Sequence, residues 1–316
     1  MRIPHVLFAA ALSIGGFTYV AATPGGQSAS TTARRPAPQA PASQVAPPAE
    51  KDSVRFAIIG DTGTGTSSQY EIGAQLTKAR QTFPFEFVVM LGDNIYGSER
   101  PQDFVTKFEK PYQPLLEAKV PFYAALGNHD DPTQRYYKPF NMNGERYYTF
   151  SKGSARFFVL DSNYMDQTQL KWLEEQLARA NDRWKVAYFH HPLYSSGEKH
   201  GSEIDLRTQV EPLFMKYGVD VVFAGHEHFY ERIKPQNGIY YFIEGGSAKL
   251  RKGDIQKGGP LTANGFDSDF SFMLAELGKD AMQFQVLSRG GKPVDSGTLR
   301  LAEEPDKPAQ SKPASR

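Results

Sequence analysis

The sequence predicts an α/β fold: a layered sandwich of two packed, mixed β-sheets with helices on the outer faces. Three observations carry that reading. From Val54 onward, apolar runs of strand length alternate with segments of helical period. Those runs lack the polar alternation of a half-solvated strand, so they read as strands buried on both faces. Past Tyr230 the helical segments stop and strand-like runs follow one another, which adds a β-rich second half.

In order, the buried runs are 54–59, 87–91, 122–126, 157–160, 186–189 and 219–224. Between them, 69–80, 168–180 and 206–216 read as surface helices with one apolar face, the second through Leu170, Leu173 and Leu177. The later runs are 239–243, 270–277, 282–287 and 294–301, separated by Gly and Lys turns.

The chain has 316 residues, 40% of them hydrophobic, enough for one substantial core. Residues 1–22 carry Arg2, an apolar stretch and small residues suited to cleavage, the pattern of a secretory signal peptide. As a membrane span the stretch is short and diluted by Ser13, Gly15, Gly16 and Thr18, so an uncleaved anchor is the alternative. Residues 23–51 read as a Pro/Ala-rich disordered linker, and 52–302 are expected to form one folded domain and 303–316 a disordered tail. The expected location is therefore secreted or periplasmic, with no stable membrane span after signal removal. A net charge of +1 supplies no long-range field for polyanions, so no nucleic-acid partner is expected.

The chain has no cysteine and seven histidines. Disulfides, thiolate metal sites and a cysteine nucleophile are excluded, and any metal must be held by oxygen or imidazole nitrogen. Ligands of α/β sheets collect beyond the carboxyl ends of the strands. There the sequence reads GDTG at 60–63, GDNIY at 92–96, GNHD at 127–130, HHPLYSSGEKHG at 190–201 and GHEH at 225–228. A single Gly-Asp or Asn-His would be an ordinary turn. Five strand exits in succession, holding most of the scarce histidine, point instead to convergence. Glycines before the polar residue in four of the five are expected to let the backbone turn sharply. Asp61, Asp93, Asn128, His190, His226 and His228 form an oxygen and nitrogen set too large for one ion and suited to two, of iron, zinc or manganese type. Two ions can clamp the attacking and leaving oxygens of a displacement at phosphorus.

These five blocks resemble the metallophosphoesterase superfamily, and more narrowly the purple acid phosphatases, whose pattern is GDxG, GDxxY, GNH[DE], xxxH and GHxH. The likeness spans about 54–301, without an appended β-domain before Val54, and is therefore closest in kind to the small tartrate-resistant type. It implies a four-layer α/β/β/α sandwich whose catalytic domain is 52–302. It also implies that Asp61, Tyr96 and His228 hold a trivalent iron, that Asp93 bridges, and that Asn128, His190 and His226 hold a divalent iron, zinc or manganese. His129 and His200 match histidines that contact the phosphoryl group or leaving oxygen. Three positions depart from the pattern: Asp130 where many relatives have Glu, putting a hydrogen bond back to His129 in doubt; Ala187 at a valine position; and His191 beside His190, the two being separated by analogy alone. Asn94 and Asp130 are candidates to orient ligands, and His191, Tyr194 and the basic segment 249–252 to border the substrate cleft.

Tyr96 makes sense in this setting. A phenol ionises near pH 10, so coordination at neutral or acid pH calls for a strongly Lewis-acidic ion. Two carboxylates and a phenolate leave a trivalent and divalent pair with positive charge to spare for a hydroxide and a phosphate ester. The expected function is a secreted acid phosphatase that hydrolyses small phosphate monoesters by attack of a metal-activated hydroxide on phosphorus, with His129 and His200 donating when protonated. The alternatives are a phosphodiesterase or nucleotide hydrolase on the same centre, and a non-catalytic binding domain that retains the fold.

Overall fold

The computed structural model describes residues 53–256 and 259–301. The leader, linker and tail expected at 1–22, 23–51 and 303–316 lie outside the described residues. The chain runs β1 (Val54–Ile59), α1 (Ser67–Thr82), β2 (Phe87–Met90), α2 (Pro101–Phe104), α3 (Gln113–Glu117), β3 (Phe122–Ala124), β4 (Tyr148–Lys152), β5 (Ala155–Val159), α4 (Gln167–Arg179) and β6 (Trp184–Phe189). It continues through α5 (Ile204–Tyr217), β7 (Val221–Ala224), β8 (Tyr230–Ile233), β9 (Tyr240–Glu244), β10 (Thr262–Phe266), β11 (Ser271–Leu277), β12 (Ala281–Ser288) and β13 (Pro293–Arg300).

Two mixed sheets result. One has the order β13-β12-β11-β1-β2-β3 and the other β10-β8-β9-β7-β6-β5-β4. In the first, β1, β2 and β3 are parallel and β11 joins β1 antiparallel, Phe56 opposite Ala275. In the second, β5, β6, β7 and β9 are parallel. Buried runs such as Phe87–Met90 and Val221–Ala224, with every residue inside, are what two-sided coverage demands.

The sheets meet through aromatic rings. Phe56 stacks on Phe87 at 5.3 Å, and both meet Phe157 from the other sheet nearly perpendicular, at 5.3 and 5.4 Å. Burying each such ring contributes about 1.5–3 kcal/mol. Ile72 and Leu76 of α1 join the same core. Leu173 and Leu177 of α4, with Val210 and Phe214 of α5, cover Ala187, Phe189 and Val222 on the far face of the second sheet. Helix, sheet, sheet, helix is the layering the sequence predicts.

Several elements differ from that reading. The strand expected at 157–160 begins at Ala155, because β4 precedes it across the two-residue turn Gly153-Ser154. The runs 122–126 and 219–224 shorten to β3 and β7. Strand β10 went unpredicted: it alternates half-buried and exposed residues and has no apolar run. So did β8, and the short helices between residues 101 and 117.

Candidate metal centre

The five polar blocks sit at one edge of the sandwich, past the carboxyl ends of β1, β2 and β3 in one sheet and of β6 and β7 in the other. Asp61, Asp93 and His226 themselves take the left-handed conformation, with φ of 54°, 52° and 68°. Such a backbone costs a non-glycine residue about 1–3 kcal/mol and persists where its surroundings hold it. Here the His226 N–H donates to Asp61 Oδ2 at 2.9 Å, and the His129 N–H to Asp93 Oδ1 at 3.0 Å. Gly92 takes a φ of 90°, the sharp turn the sequence predicts, whereas Gly60, Gly127 and Gly225 do not take a positive φ and are needed for close approach. A Cβ on Gly127 would stand 2.2 Å from the Asp93 amide nitrogen and Oδ1; one on Gly225 would stand 2.7 Å from Asp61 Oδ2.

Two groups of donors result. Asp61, Asp93 and His228 bring one ligand atom each to within 4.8 Å of one another. Tyr96 joins them: its hydroxyl is 3.0 Å from Asp61 Oδ1 and 3.5 Å from His228 Nε2, which is 3.3 Å from Asp61 Oδ1. In the second group, Asn128 Oδ1 lies 2.9 Å from His190 Nε2 and 3.0 Å from His226 Nδ1, and the two ring nitrogens are 3.2 Å apart. Asp93 Oδ1 is 3.4 Å from His190 Nε2, so this one carboxylate touches both groups.

The chemistry of these contacts is that of a cation site. His190 Nδ1 is 2.9 Å from the Leu91 carbonyl oxygen, which only accepts, so Nδ1 carries a proton and donates. Nε2 then faces two oxygens, Asn128 Oδ1 at 2.9 Å and Asp93 Oδ1 at 3.4 Å, the arrangement of ligand atoms converging on a shared cation. Burial pushes the Asp61 carboxyl up to about 8, with Asp93 adding to the effect, and pushes His226 down to about 2 and His228 down to about 4. At Asp93 burial acts upward too, but His190, the Tyr96 hydroxyl and the His129 amide together hold it below the usual carboxylate range. Neutral imidazoles, an amide oxygen, a phenol and two buried carboxylates, pointing lone pairs at one another, fit a dinuclear metal centre.

The other predicted residues fall in different places. The His129 ring packs against Tyr96 at 4.9 Å, at the rim. His200 lies 4.5 Å from the His226 ring, but Arg251 Nη2 is 3.2 Å from its Nε2. Burial and the charge of Arg251 lower His200 from its ordinary value. Asp130 accepts from the Gly127 and Ile95 amides, Asn94 Nδ2 and Gln134 Nε2, and so ties the loops after β2 and β3 together, with no bond to His129. Asn94 also donates to the Ala125 carbonyl and orients this loop. His191 groups with His190 and His226, its Nδ1 held 2.8 Å from Ser162 Oγ. Tyr194 does not border the cleft: it is buried, its hydroxyl donating to Glu211 at 2.9 Å beside Tyr241.

Sequence reasoning passed over Glu227, the residue between the two histidines of GHEH. It is fully buried, accepts from the Gly201 amide at 2.7 Å and from Arg251 Nη1 at 3.1 Å, and so ties the His200 loop to the basic turn. That turn reaches the centre itself, with Lys249 Nζ 4.2 Å from the centroid of the Tyr96 ring. The signal was an acid between two candidate ligands, a position where an exposed loop would tolerate any residue.

Comparison with known proteins agrees with this geometry. The chain is 27% identical over 236 residues to human tartrate-resistant acid phosphatase type 5, covering 61% of this chain and 72% of that one. It is 28% identical over 257 residues to purple acid phosphatase 17 of Arabidopsis thaliana, covering 69% and 74%. Among solved structures, yellow lupin purple acid phosphatase shares the fold at a TM-score of 0.67 with 20% identity, over 79% of this chain and 54% of that one. So does GAP50, described as the anchor in the inner membrane complex of Plasmodium, at 0.67 with 21% identity over 80% and 90%. The family model described as calcineurin-like phosphoesterase matches residues 54–230, more than half of the chain and all five of the strand exits that build the donor groups; the chain belongs to the calcineurin-like phosphoesterase family.

Proposed function

We propose that the protein is a binuclear-metal acid phosphatase acting on small phosphate monoesters. The observation that carries this reading is the placement of Asp93 Oδ1 between the Asp61–Tyr96–His228 group and the Asn128–His190–His226 group. In this reading Asp61, Tyr96 and His228 hold a trivalent iron, Asp93 bridges, and Asn128, His190 and His226 hold a divalent iron, zinc or manganese. When bound, the pair supplies Lewis acidity that activates water and neutralises charge on the phosphoryl oxygens.

The chain's own residues do the rest. Leu91 O fixes the His190 ring so that Nε2 faces the centre. His129 stands at the rim, beside Tyr96, to hydrogen-bond the phosphoryl group or the departing oxygen. Arg251 stands beside His200 and supplies a fixed positive charge on that side of the centre. The acid phosphatase names of the sequence relatives support the reading. A fold neighbour described as an anchor shares the architecture, so the donor set, more than the fold, argues for catalysis. The leader at 1–22 supports export to a periplasm or cell exterior. Among the described residues no helix is long and apolar enough to cross a membrane.

The test is metal analysis of the protein expressed with ample iron, together with its absorption spectrum and hydrolysis of p-nitrophenyl phosphate against its bis-ester at mildly acidic pH. Two metal ions per chain, a visible charge-transfer band and preference for the monoester are expected. A strong diester preference would replace the monoesterase with a phosphodiesterase. Fewer than two ions with no turnover would leave a binding domain.

A further inference from the structure

We propose that the centre selects phosphate monoesters whose alcohol carries no negative charge, amine-bearing alcohols above all, through a carboxylate-walled recess that receives the alcohol. This rests on the phosphatase reading above and names its substrate class.

Charge is divided around the centre. On the side of Asp61, Tyr96 and His228 stand cations: Lys249 over the Tyr96 ring, and Arg251 Nη2 at 3.4 Å from His228 Nδ1 and 3.2 Å from His200. On the side of Asn128 and His191 a cavity of about 360 Å³ opens, walled further by Asp161, Glu203 and Tyr164, and among the described residues no lysine or arginine lines it. A volume of this size takes a small alcohol and no macromolecule. Because Asn128 and His191 belong both to this wall and to the donor groups, an ester held at the centre has this space directly beside it.

The wall's charges are not equally balanced. The oxygens of Asp130 are taken up by four donors of the loops after β2 and β3. Asp161 is paired with Arg146, which lies outside the lining, at 3.4 Å. Glu203, at the start of α5, also lines the recess and, among the described residues, stands in no ion pair, unlike Asp161. Tyr164, 58% exposed, adds an aromatic ring to the same wall, with Arg146 5.5 Å from its centroid. A carboxylate or second phosphate on the alcohol meets like charge there, in a recess where screening is weaker than in bulk water. An ammonium meets the Glu203 carboxylate, which attracts it.

Phosphoethanolamine and phosphoglycolate are nearly equal in size and opposite in charge, with glycerol 2-phosphate neutral between them. The experiment measures kcat/KM for the three on the metal-loaded full chain, with p-nitrophenyl phosphate as reference. Phosphoethanolamine is expected to exceed phosphoglycolate by about tenfold or more, with the glycerol ester between. Glu203→Gln should narrow that ratio to within about threefold, and Glu203→Lys should invert it. A wild-type ratio below about threefold, or one that neither variant changes, overturns the proposal. So does turnover of p-nitrophenyl phosphate with none of the three small esters. If p-nitrophenyl phosphate is not hydrolysed either, the phosphatase reading itself fails and this one falls with it.

Discussion

The Tyr96 hydroxyl donates to Asp61 Oδ1 across 3.0 Å, joining the exit of β2 to the exit of β1. Burial, with the charges of Asp61 and Asp93, pushes this phenol far above its ordinary range. Ionisation of Tyr96 therefore depends on a cation placed where the two side chains meet His228.

Tyr96→Phe is expected to keep the fold, since the ring that packs on His129 remains, and to abolish any visible charge-transfer band. Retention of iron should fall by about tenfold or more. Absorption spectra and metal content after dialysis check this; an unchanged band would remove Tyr96 from the ligands.

Metal-free protein should lose stability as pH rises from about 7.5 to 8.5. Above about pH 7.5 an ordinary imidazole in the unfolded chain holds little proton, and His226 and His228, lowered by burial, hold none in the folded one. Asp61 and Glu244, both fully buried and both raised to about 8 chiefly by burial, bind a proton when folded and none when unfolded. The folded state thus holds more protons, and stability falls with pH. The melting temperature of the metal-free chain should drop across the window and drop less in Asp61→Asn. A rising curve would contradict the assignment.

Gly127→Ala places a methyl group 2.2 Å from the Asp93 amide and carboxylate. The loop after β3 must shift, at about 1–3 kcal/mol. Both thermal stability and metal content should fall, because the residue that loop must part from, Asp93, is the one that touches both donor groups. Normal metal content with normal stability would argue against the close approach.

Tyr194→Phe separates the buried network from the cleft. It removes a hydrogen bond to Glu211, leaving Tyr241 as the remaining phenol partner, and should cost about 1–2 kcal/mol. The kcat/KM for p-nitrophenyl phosphate should stay within about twofold. A large kinetic effect with unchanged stability would return Tyr194 to the substrate path.

Much of the fold was legible because its strands are apolar on both faces. Phe87–Met90 and Val221–Ala224 could lie only between two covering layers. What escaped notice was structure whose stability comes from a neighbour. Strand β10 is an edge strand without an apolar run, held by pairing to β8, and β4 lengthens the sheet through a hairpin. The candidate donors stood in five blocks that the chain order made visible, whereas the pairing of Glu227, inside the fifth block, with Arg251 of the basic turn was not visible there. Their significance is a contact across 24 positions, and a lone acid or a basic turn has no local signature for it.

The sequence by itself determined the layered α/β architecture, the strand exits at which Asp61, Asp93, Asn128, His190 and His226 would stand, and the exclusion of thiolate chemistry. Periodicity and residue type are local properties, readable without coordinates. Only the tertiary structure decided that the edges of two different sheets meet, so that Asp93 touches both groups, Tyr194 turns inward to Glu211, and Arg251 comes to stand beside His200. Those outcomes depend on how separate layers pack, and the free energy that selects them is spread over rings such as Phe56, Phe87 and Phe157 that lie far from the centre they position.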